Sequence, residues 1–473
     1  LEQLTADFDG GAIQGRLSLS SARVDAALTS ASLDLDATAD LIRALGGSRD
    51  NWPAEAHIAI DAARGVLAGQ DVRPIALAFA YGPSNVSVDR LKIGGAGGVT
   101  LDGQGAFDRT AATGKFNLDA NAPSLARFGE VIAPFAPAVA ARLQAMSPAK
   151  GNAHVRLTAD LSKAKDNAAR AAARAVLDIE GSGIAGRVTL TASPAINASR
   201  GLDLDALAKT DVAVESKLSS QQGQALLTLA GLDGIVAVGN GPGRFEASMT
   251  GPWSGSARFK AVLSGNGLDA DAQGSGTIWT AEPKATVGLA VRKADIAPLL
   301  GVTAPLPIST TAKVTISGER LTFDNLDTSL AGSRVRGTLV VTRGEVAGLD
   351  GKIDADSIDL AALTGVALGT RGHPATEPLS RGWVQGWRGQ VAFRSQRGEL
   401  PGVGELQPVS GVLRGDGQSI VLDDLKAGFG GGQLTATMEG RQTPDGLAVS
   451  ARAQLAGVSG AALRYRHLAM PEG

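Results

Sequence analysis

The chain has 473 residues, among them 62 Gly, 5 Trp, 2 Tyr, 11 Phe and no Cys, and its formal net charge is −2. This composition excludes a collagen helix, because the glycines have no three-residue period, and a disordered tail, because 44% of the residues are hydrophobic. It also excludes a disulfide scaffold, a thiolate metal site and a cysteine nucleophile, and the balanced charge provides no general attraction to nucleic acid. The four histidines are widely separated and leave little for zinc or proton-shuttle chemistry. We therefore expect a glycine-rich β structure that binds a ligand, carries no cofactor and catalyses no reaction.

The first predicted element is a β-hairpin at the start of the chain, over residues 1–19. Two runs of alternating polar and apolar residues flank a short glycine-rich loop. Glycine adopts the positive φ angles of a tight turn without steric cost, so this pattern is typical of a hairpin. Apolar residues recur with a period of two after the loop, which places them on one face of the second strand.

The same pattern recurs three times downstream, starting at Val88, Phe323 and Leu422. Each copy has an apolar residue, an acid, any residue and an apolar residue, then a glycine-rich turn and an alternating strand. The acid precedes the first apolar residue of the second strand by 11 or 12 positions in all four copies. The turn glycines are Gly10, Gly11, Gly94, Gly95, Gly332, Gly430 and Gly431. The apolar positions after the turns are Ile13, Leu17, Leu19, Leu101, Phe107, Val335, Leu339, Val341, Leu434 and Met438.

Glycines also stand inside three of these second strands, at Gly15, Gly103 and Gly337. We expect the missing side chains to leave room on one face of the sheet, for either a short helix or an acyl chain.

A second motif is a strand that runs into a short helix. Its clearest copies start at Asp295 and Asp359, and looser copies start at Asp40, Ser124 and Asp205. Asp and Ser cap helix N-termini, and each cap is worth about 1 kcal/mol. Apolar residues that follow the cap would fasten one helical turn to the sheet.

The remaining chain reads mostly as strands. Residues 244–292 predict a meander of four strands, residues 123–146 predict helix interrupted by prolines, and residues 164–175 are compatible with either a helix or a solvated loop. The total is about 30 strands, far more than the ~10 that open twisted sheets usually hold. The chain therefore forms either several sandwiches or one elongated, curled sheet. Because no stretch approaches the ~20 apolar residues of a membrane span, any membrane anchor must lie outside this segment.

Motifs with chemical meaning are few, and each favours a structural interpretation. Residues 181–186 match a dinucleotide fingerprint, but an alternating strand follows them instead of a helix, which favours a hairpin turn. Acid pairs favour a solvated polar face over weak calcium binding or glycosidase chemistry. These pairs are Asp34 with Asp36, Asp203 with Asp205, Asp269 with Asp271, and Asp354 with Asp356. Trp383 and Trp387 favour a packed loop over a membrane-interface contact.

Together the two motifs resemble the AsmA-like family of bacterial envelope proteins, which is related to TamB and to the eukaryotic bridge-like lipid-transfer proteins. Residues 225–233, 243–245 and 292–300 are similar to this family as well. The resemblance covers most of the chain but consists of degenerate positions with no invariant site. The chain departs from the family pattern by lacking an N-terminal anchor helix and by the insertion at residues 164–175.

The resemblance implies an all-β fold with short helices, in which an elongated, repeating antiparallel β-sheet curls into a groove; successive β-sandwiches are the alternative. The approximate repeats would be 1–85, 86–210, 211–310, 311–410 and 411–473. The apolar positions given above would line the groove, which would carry phospholipid between the inner and outer membranes in outer-membrane biogenesis. The protein would lie in the periplasm, anchored to the inner membrane by a segment not included here, with possible envelope protein partners.

Two other functional classes stay open. One is a structural or adhesive β-repeat of the envelope or cell surface that carries no lipid, because strands in a β-sandwich core show the same alternation of apolar and polar residues. The other is an enzyme such as a glycan hydrolase on a β-scaffold, which would need a cleft with two acids at a fixed separation.

Overall fold

The fold was obtained as a computed structural model, and the chain divides into two compact units. The first comprises Leu1–Gly231 and Gly241–Ala257, and the second comprises Leu232–Asn240 and Arg258–Gly473. The structure describes residues 4–8, 11–20, 22–34, 54–67, 70–133, 137–146, 151–165, 167, 169–197, 209–232, 236–237, 239–252, 255–277, 282–300, 305–330, 332–344, 346–360, 362, 387–400, 404–443 and 446–462.

The first unit is built mainly of strands. Its strands are β1 (Leu4–Phe8), β2 (Gly11–Leu19), β3 (Arg23–Ser30), β4 (Leu33–Asp34), β5 (Glu55–Ala62), β6 (Gly65–Leu67), β7 (Gln70–Val72), β8 (Ile75–Tyr81), β9 (Asn85–Ala96), β10 (Val99–Asp108), β11 (Thr113–Ala122), β12 (Ala153–Lys163), β13 (Ala171–Gly181), β14 (Ile184–Ala192), β15 (Asp211–Ser220) and β16 (Gly243–Pro252). Its helices are α1 (Leu125–Ile132), α2 (Pro137–Ala145) and α3 (Gly223–Ala230). The main sheet has the order β1-β2-β3-β5-β8-β9-β10 and continues in sequence order to β16. All of these pairs are antiparallel except β3–β5, and β4, β6 and β7 form a small separate sheet.

The second unit follows the same rule of sequential addition. Its strands are β17 (Ala257–Gly265), which starts at the last residue of the first unit, β18 (Leu268–Thr277), β19 (Lys284–Asp295), β20 (Pro307–Ser317), β21 (Arg320–Leu330), β22 (Ser333–Thr342), β23 (Ala347–Asp359), β24 (Trp387–Leu400), β25 (Gly404–Leu406), β26 (Val409–Asp416), β27 (Ser419–Phe429), β28 (Gly432–Thr443) and β29 (Gly446–Ala456). Helix α4 (Ala297–Leu300) follows β19, and a 3₁₀ turn covers Gly460–Ala462. From β18 to β24, each strand pairs with the next one in the sequence, and the same holds from β26 to β29. Strand β24 also pairs with β26, which joins the two runs. The pair β23–β24 is parallel, and the other pairs are antiparallel.

The predicted all-β fold with short helices and a repeating antiparallel sheet is confirmed. The residues of the predicted meander, 244–292, contain the four strands β16 to β19, of which β18 and β19 pair antiparallel, and residues 123–146 contain α1 and α2. The two parallel pairs were not expected, because hairpin motifs alone imply antiparallel neighbours. None of the helices in the described part of the chain is long and apolar enough to cross a membrane.

The interpretation of residues 164–175 as a helix or a loop is wrong for residues 171–175, which belong to a strand. Strand β13 starts at Ala171, which pairs with Lys163 of β12. Ala173 and Ala175 continue the apolar row of β12 by pairing with Leu161 and Ala159. The high helix propensity of alanine is a weak preference, and the two neighbouring strands override it.

The repeated acid-x-apolar motif forms a β-bulge. In β21, Phe323 pairs with Leu339 and Leu326 pairs with Gly337, so two residues of β21 face the single residue Thr338. The second of the two, Asn325, has a φ of 52°. The copy in β27 has the same register shift, and there Asp424 has a φ of 49°. Asn and Asp tolerate this left-handed conformation better than most other side chains, which suits Asn325 and Asp424 to these two positions.

The mid-strand glycines do not leave free room on the sheet, as the sequence suggested. A Cβ atom at Gly15 would lie 2.0 Å from the carbonyl oxygen of Ala27, and one at Gly337 would lie 2.1 Å from that of Lys352. At Gly103 the nearest atom is a methyl carbon of Leu118, at 3.0 Å. The neighbouring strand therefore fills the space that the absent side chain vacates.

The structure also contains an internal repeat that the motifs did not predict. We call residues 54–108 the first module and residues 387–441 the second module. Each starts with the strand that pairs in parallel with the preceding part of the sheet, β5 or β24. Three antiparallel strands follow, which are β8, β9 and β10 in the first module and β26, β27 and β28 in the second. Each module lies within one unit.

The two modules share a detailed backbone arrangement around a proline. Arg73–Pro74 and Gln407–Pro408 are both cis peptide bonds. The Gly94 amide donates to the Pro74 carbonyl at 3.0 Å, and the Gly428 amide donates to the Pro408 carbonyl at 3.2 Å. The residue before each X–Pro pair, Val72 or Leu406, is fully buried. Two segments of unlike sequence therefore adopt one structure.

The second sequence motif is a helix cap at Asp295 and Asp359. The Asp295 Oδ1 accepts hydrogen bonds from the amides of Ala297 at 3.0 Å and Leu306 at 2.8 Å. The Asp359 Oδ1 accepts one from the Ala362 amide at 2.8 Å. Ser124 precedes α1, but the hydroxyl that accepts from the Leu125 amide belongs to Ser182, at 3.0 Å. The copies at Asp40 and Asp205 lie outside the described residues.

Replacing Asp295 by alanine should lower the free energy of unfolding by about 1–2 kcal/mol. The reason is that one carboxylate oxygen satisfies two backbone amides, one on each side of the loop after α4. Denaturant unfolding of the variant measures the loss. Asp295→Asn, which keeps the accepting oxygen, is the control and should lose less; an equal loss in both variants would contradict the capping role.

Candidate functional site

A broad apolar surface of the first unit lies on β11 to β15. We call it the open face, and its central side chains are Leu118, Val155, Leu157, Leu177, Ile179, Val188, Leu190 and Val214. Leu118, Leu157, Leu177 and Val188 are cross-strand neighbours in one row. All eight side chains are half-buried although strands flank them on both sides. Their remaining exposure must therefore be through the face of the sheet, which is not covered as a sandwich core would be.

Both ends of these strands are closed. At one end α1 contacts β10 and β11, α3 contacts β15 and β16, and α2 contacts the other two helices. Leu125, Phe128 and Leu226 are buried there. At the other end Ala112, Ala171 and Ile196 form a buried cluster with Leu161 packed against it. The open face is thus an apolar strip that crosses the strands between two closed rims.

The opposite face of the same strands carries the charges. Asp119, Arg156, Asp178, Arg187, Lys217 and Glu246 follow one another across β11 to β16. The Arg187 Nε donates to Asp178 at 2.6 Å, and Asp119 accepts from His154 Nε2 at 2.7 Å and from Arg156 Nε at 3.2 Å. The hydrogen bond from His154, with the charge of Arg156, holds the pKa of Asp119 below its ordinary value. This separation suits the open face to an apolar ligand.

The lowered pKa of Asp119 predicts a loss of stability in acid. A carboxylate whose pKa is depressed in the folded state stabilises it above the unfolded value of about 3.9, and this contribution is lost as the pH falls through the folded pKa. The melting temperature should decrease between about pH 5 and pH 2, and Asp119→Asn should decrease it at neutral pH and flatten that slope. Asp211→Asn on β15, an exposed aspartate outside this row of charges, is the control for simple loss of charge. An unchanged slope in Asp119→Asn would contradict the prediction.

Most apolar positions selected from the hairpin motif are half-buried. These are Ile13 and Leu17 on β2, Leu101 and Phe107 on β10, Val335, Leu339 and Val341 on β22, and Met438 on β28. Because β10 pairs with β11, Leu101 lies beside Ala120 and extends the open face. Leu19 is different: it is 65% exposed, close to the β2–β3 turn.

Leu434 is not on an open face. It is buried in a cluster with Phe393, Leu422, Leu425 and Phe429, and Met438 and Val335 pack against this cluster. The large aromatic side chains cover the apolar face of the second module, so Leu434 belongs to a packed core.

The turn glycines divide into two groups. Gly95, Gly332, Gly430 and Gly431 have φ angles of 78°, 83°, 53° and 84°, as the hairpin interpretation requires. Gly94 precedes Gly95 in β9 and has no positive φ; a Cβ there would be 2.9 Å from the Arg73 carbonyl oxygen. Gly11 starts β2, and Gly10 lies outside the described residues.

The motifs with possible catalytic meaning occupy structural positions. Residues 181–186 form the β13–β14 turn and the start of β14, with Ser182 at a φ of 50°. The pair Asp269 and Asp271 accepts hydrogen bonds from Arg292, which lowers the pKa of Asp269. Trp387 is buried against Ile420, whereas Trp383 and the pair Asp203–Asp205 lie outside the described residues.

The second unit has a polar concavity of about 620 Å³ along β19 to β24. Its lining includes Arg292, Thr311, Asp327, Arg334 and Arg397. Arg292 is held by Asp269, and Arg334 donates from Nε to Asp327 at 2.7 Å. Because two of the three arginines are already neutralised, this surface is a weak candidate for anion binding.

The central residues of the open face on β12 to β15 were not among the sequence-selected positions. Their signal was present, since Val155, Leu157 and Leu161 alternate with polar residues. Selection from the hairpin motif missed them because β12 to β15 lack its apolar-acid-x-apolar half. No protein-family model matches the chain, and no curated protein or solved structure shows significant similarity to it.

Proposed function

We propose that this protein binds acyl lipids, with phospholipid as the principal class, and takes part without catalysis in their transport or homeostasis in the bacterial envelope. The observation that carries the proposal is the open face: an uncharged, half-exposed apolar strip across adjacent strands, with the charges on the other side of the sheet. Contiguous exposed apolar surface of this kind marks a binding surface in soluble proteins.

The side chains of the open face suit a flexible hydrocarbon. They are aliphatic, and small residues such as Ala159 and Ala175 separate the larger ones. Each buried methylene of an acyl chain contributes about 0.8 kcal/mol without any directional contact. Binding can then be distributed over many positions, which lets a chain slide along the strip and leaves the polar headgroup in water.

The envelope setting is part of the proposal and is supported by the motif resemblance described above. In that setting the protein acts in the periplasm between the two membranes, held by an inner-membrane anchor outside this sequence and aided by envelope protein partners. These elements accord with a chain whose apolar face needs lipid from a membrane.

A structural or adhesive β-repeat without lipid is the second candidate. The observation in its favour is the second module, whose apolar face is filled by its own side chains, among them Phe393 and Phe429. The two candidates differ in what they predict for the open face of the first unit.

The test is an aspartate in the middle of the open face. Leu157→Asp should weaken binding of a fluorescent fatty acid by about tenfold or more, because lipid would have to desolvate the carboxylate. Mass spectrometry of detergent-free wild-type protein should find phospholipid, and the variant should carry less.

The matched control is Thr158→Asp, one residue further along β12 and directed to the opposite face. It should bind lipid as the wild type does, and both variants should retain the β-sheet circular dichroism spectrum. Wild-type protein that carries no phospholipid and binds no fatty acid would overturn the proposal in favour of the structural role.

A further inference from the structure

The two modules have the same backbone arrangement but differ in the coverage of their apolar faces. In the first module Ile60, Val88, Leu91 and Leu101 are half-buried. The residues that occupy the same places in the second module are Phe393, Leu422, Leu425 and Leu434, and all four are buried. The equivalence follows from register: Ile60 pairs with Leu77 in the first module, and Phe393 pairs with Gly411 in the second.

The difference has a local cause at the pairs Ile60–Leu77 and Phe393–Gly411. The Phe393 ring lies over Gly411, so a Cβ there would be only 2.8 Å from the ring carbon Cζ. A leucine occupies the equivalent place in the first module and leaves no comparable gap for a ring to enter. The exchange of a large–large pair for an aromatic–glycine pair lets the second module close its own face.

A second aromatic residue completes the closure. Phe429 stands at the end of β27, where the first module has Gly95 in the corresponding stretch before the turn. Phe429 and Leu406 are buried in the cluster that contains Phe393. The two rings, together with Ala355, Ile358 and Leu360 from the preceding part of the chain, bury in the second module the apolar surface that the first module leaves half-exposed.

We infer that acyl chains occupy the apolar face of the first module and are excluded from that of the second, which is a self-sealed copy of the same lipid-binding element. This inference rests on the proposed lipid-binding function. It assigns the cargo to Ile60, Val88, Leu91 and Leu101, and it makes Phe393 the residue that seals the second module.

The physical reason is competition for one surface. An acyl chain gains free energy only where it removes apolar surface from water. In the second module the Phe393 and Phe429 rings have already removed that surface, so a ligand would have to displace them and open a packed core. In the first module Ile60 packs against the buried side chains of Leu33, Val72 and Ile75 but stays half-buried. Val88, Leu91 and Leu101 also keep apolar area exposed, so a ligand has surface to bury.

The experiment is photocrosslinking of the full chain with a fatty acid that carries a diazirine on its acyl chain. After irradiation and proteolysis, mass spectrometry maps the adducts. We expect adducts on peptides from residues 54–108 and at least tenfold fewer on peptides from residues 387–441. Adducts of similar yield in both modules, or only in the second, would overturn the inference while lipid binding itself stands. Adducts in neither module, together with no phospholipid in the purified protein, would overturn the proposed function.

A variant tests the sealing residue directly. Phe393→Ala, studied below its own melting temperature, should raise the adduct yield on residues 387–441 several-fold. The matched control is Ile60→Ala, which should leave the yield in the second module unchanged. A second variant, Phe393→Leu, keeps more of the packing and should give an intermediate yield. If both Phe393 variants are folded and their second module stays unlabelled, Phe393 is not the seal.

Discussion

An alanine at position 406 is expected to lower the free energy of unfolding by about 2–5 kcal/mol. Leu406 has no measurable solvent exposure, and it lies in the three-residue strand β25. Its side chain belongs to the buried cluster of the second module together with Phe393, Val409 and Phe429. Removing the side chain takes away its transfer free energy and leaves a cavity that the surrounding strands cannot fill, because β24, β26 and β27 are fixed by their pairing.

Denaturant titration followed by circular dichroism measures this loss. Leu455→Ala is the control: Leu455 is on β29 and is 41% exposed, so its truncation should change stability by no more than about 0.5 kcal/mol. Equal effects at the two positions would mean that the second module is not a packed core. The explanation for the sealed face would then fail as well.

Gly337→Ala should destabilise the protein by at least about 2 kcal/mol, through the backbone and not through a lost contact. Gly337 has a φ of +152°, and a Cβ would lie 2.1 Å from the carbonyl oxygen of Lys352 on the neighbouring strand. Side chains rarely adopt this conformation, and the clash cannot be relieved by rotating a side chain. The β22–β23 pairing would have to open locally.

Two other glycines separate the clash from the dihedral strain. Gly332, in the turn of the same hairpin, has a φ of +83° and no atom within 4 Å of the Cβ position, so Gly332→Ala should cost only about 1 kcal/mol. Gly460 has open space and no positive φ, and its replacement by alanine should be nearly neutral. We expect the melting temperature to fall most for the alanine variant of Gly337, less for that of Gly332 and least for that of Gly460. Any other order would contradict the steric explanation.

Hairpins and alternating strands could be predicted from sequence because their information is local. Glycine at a turn and a period of two along a strand depend on residues a few positions apart, so the copies at Val88 and Phe323 were visible without a structure. The bulges were hidden in the same motif. Only the register of β21 against β22 shows that Asp324 and Asn325 face one residue.

Coverage of the apolar faces could not be predicted, because it depends on strands far apart in sequence. Leu101 and Leu434 follow the same turn motif, yet one is half-buried and the other is buried in a cluster. The difference arises from the pair Phe393–Gly411, whose first strand, β24, enters the sheet by a parallel crossover and whose ring joins the cluster around Leu434. Alternation predicts which side chains share a face, but it carries no information about what lies over that face.

The glycines show most clearly which features the sequence predicts and which depend on the tertiary structure. By itself the sequence determined a repeating, sequential β-sheet with glycine turns and capped short helices, since these features follow from φ preferences and side-chain period. The tertiary structure decided the rest: Gly15 and Gly337 admit a neighbouring backbone, Gly411 admits an aromatic ring, and the strip on β11 to β15 stays uncovered. A glycine leaves space where a side chain would be, and the packing of strands distant in sequence determines which atoms fill that space.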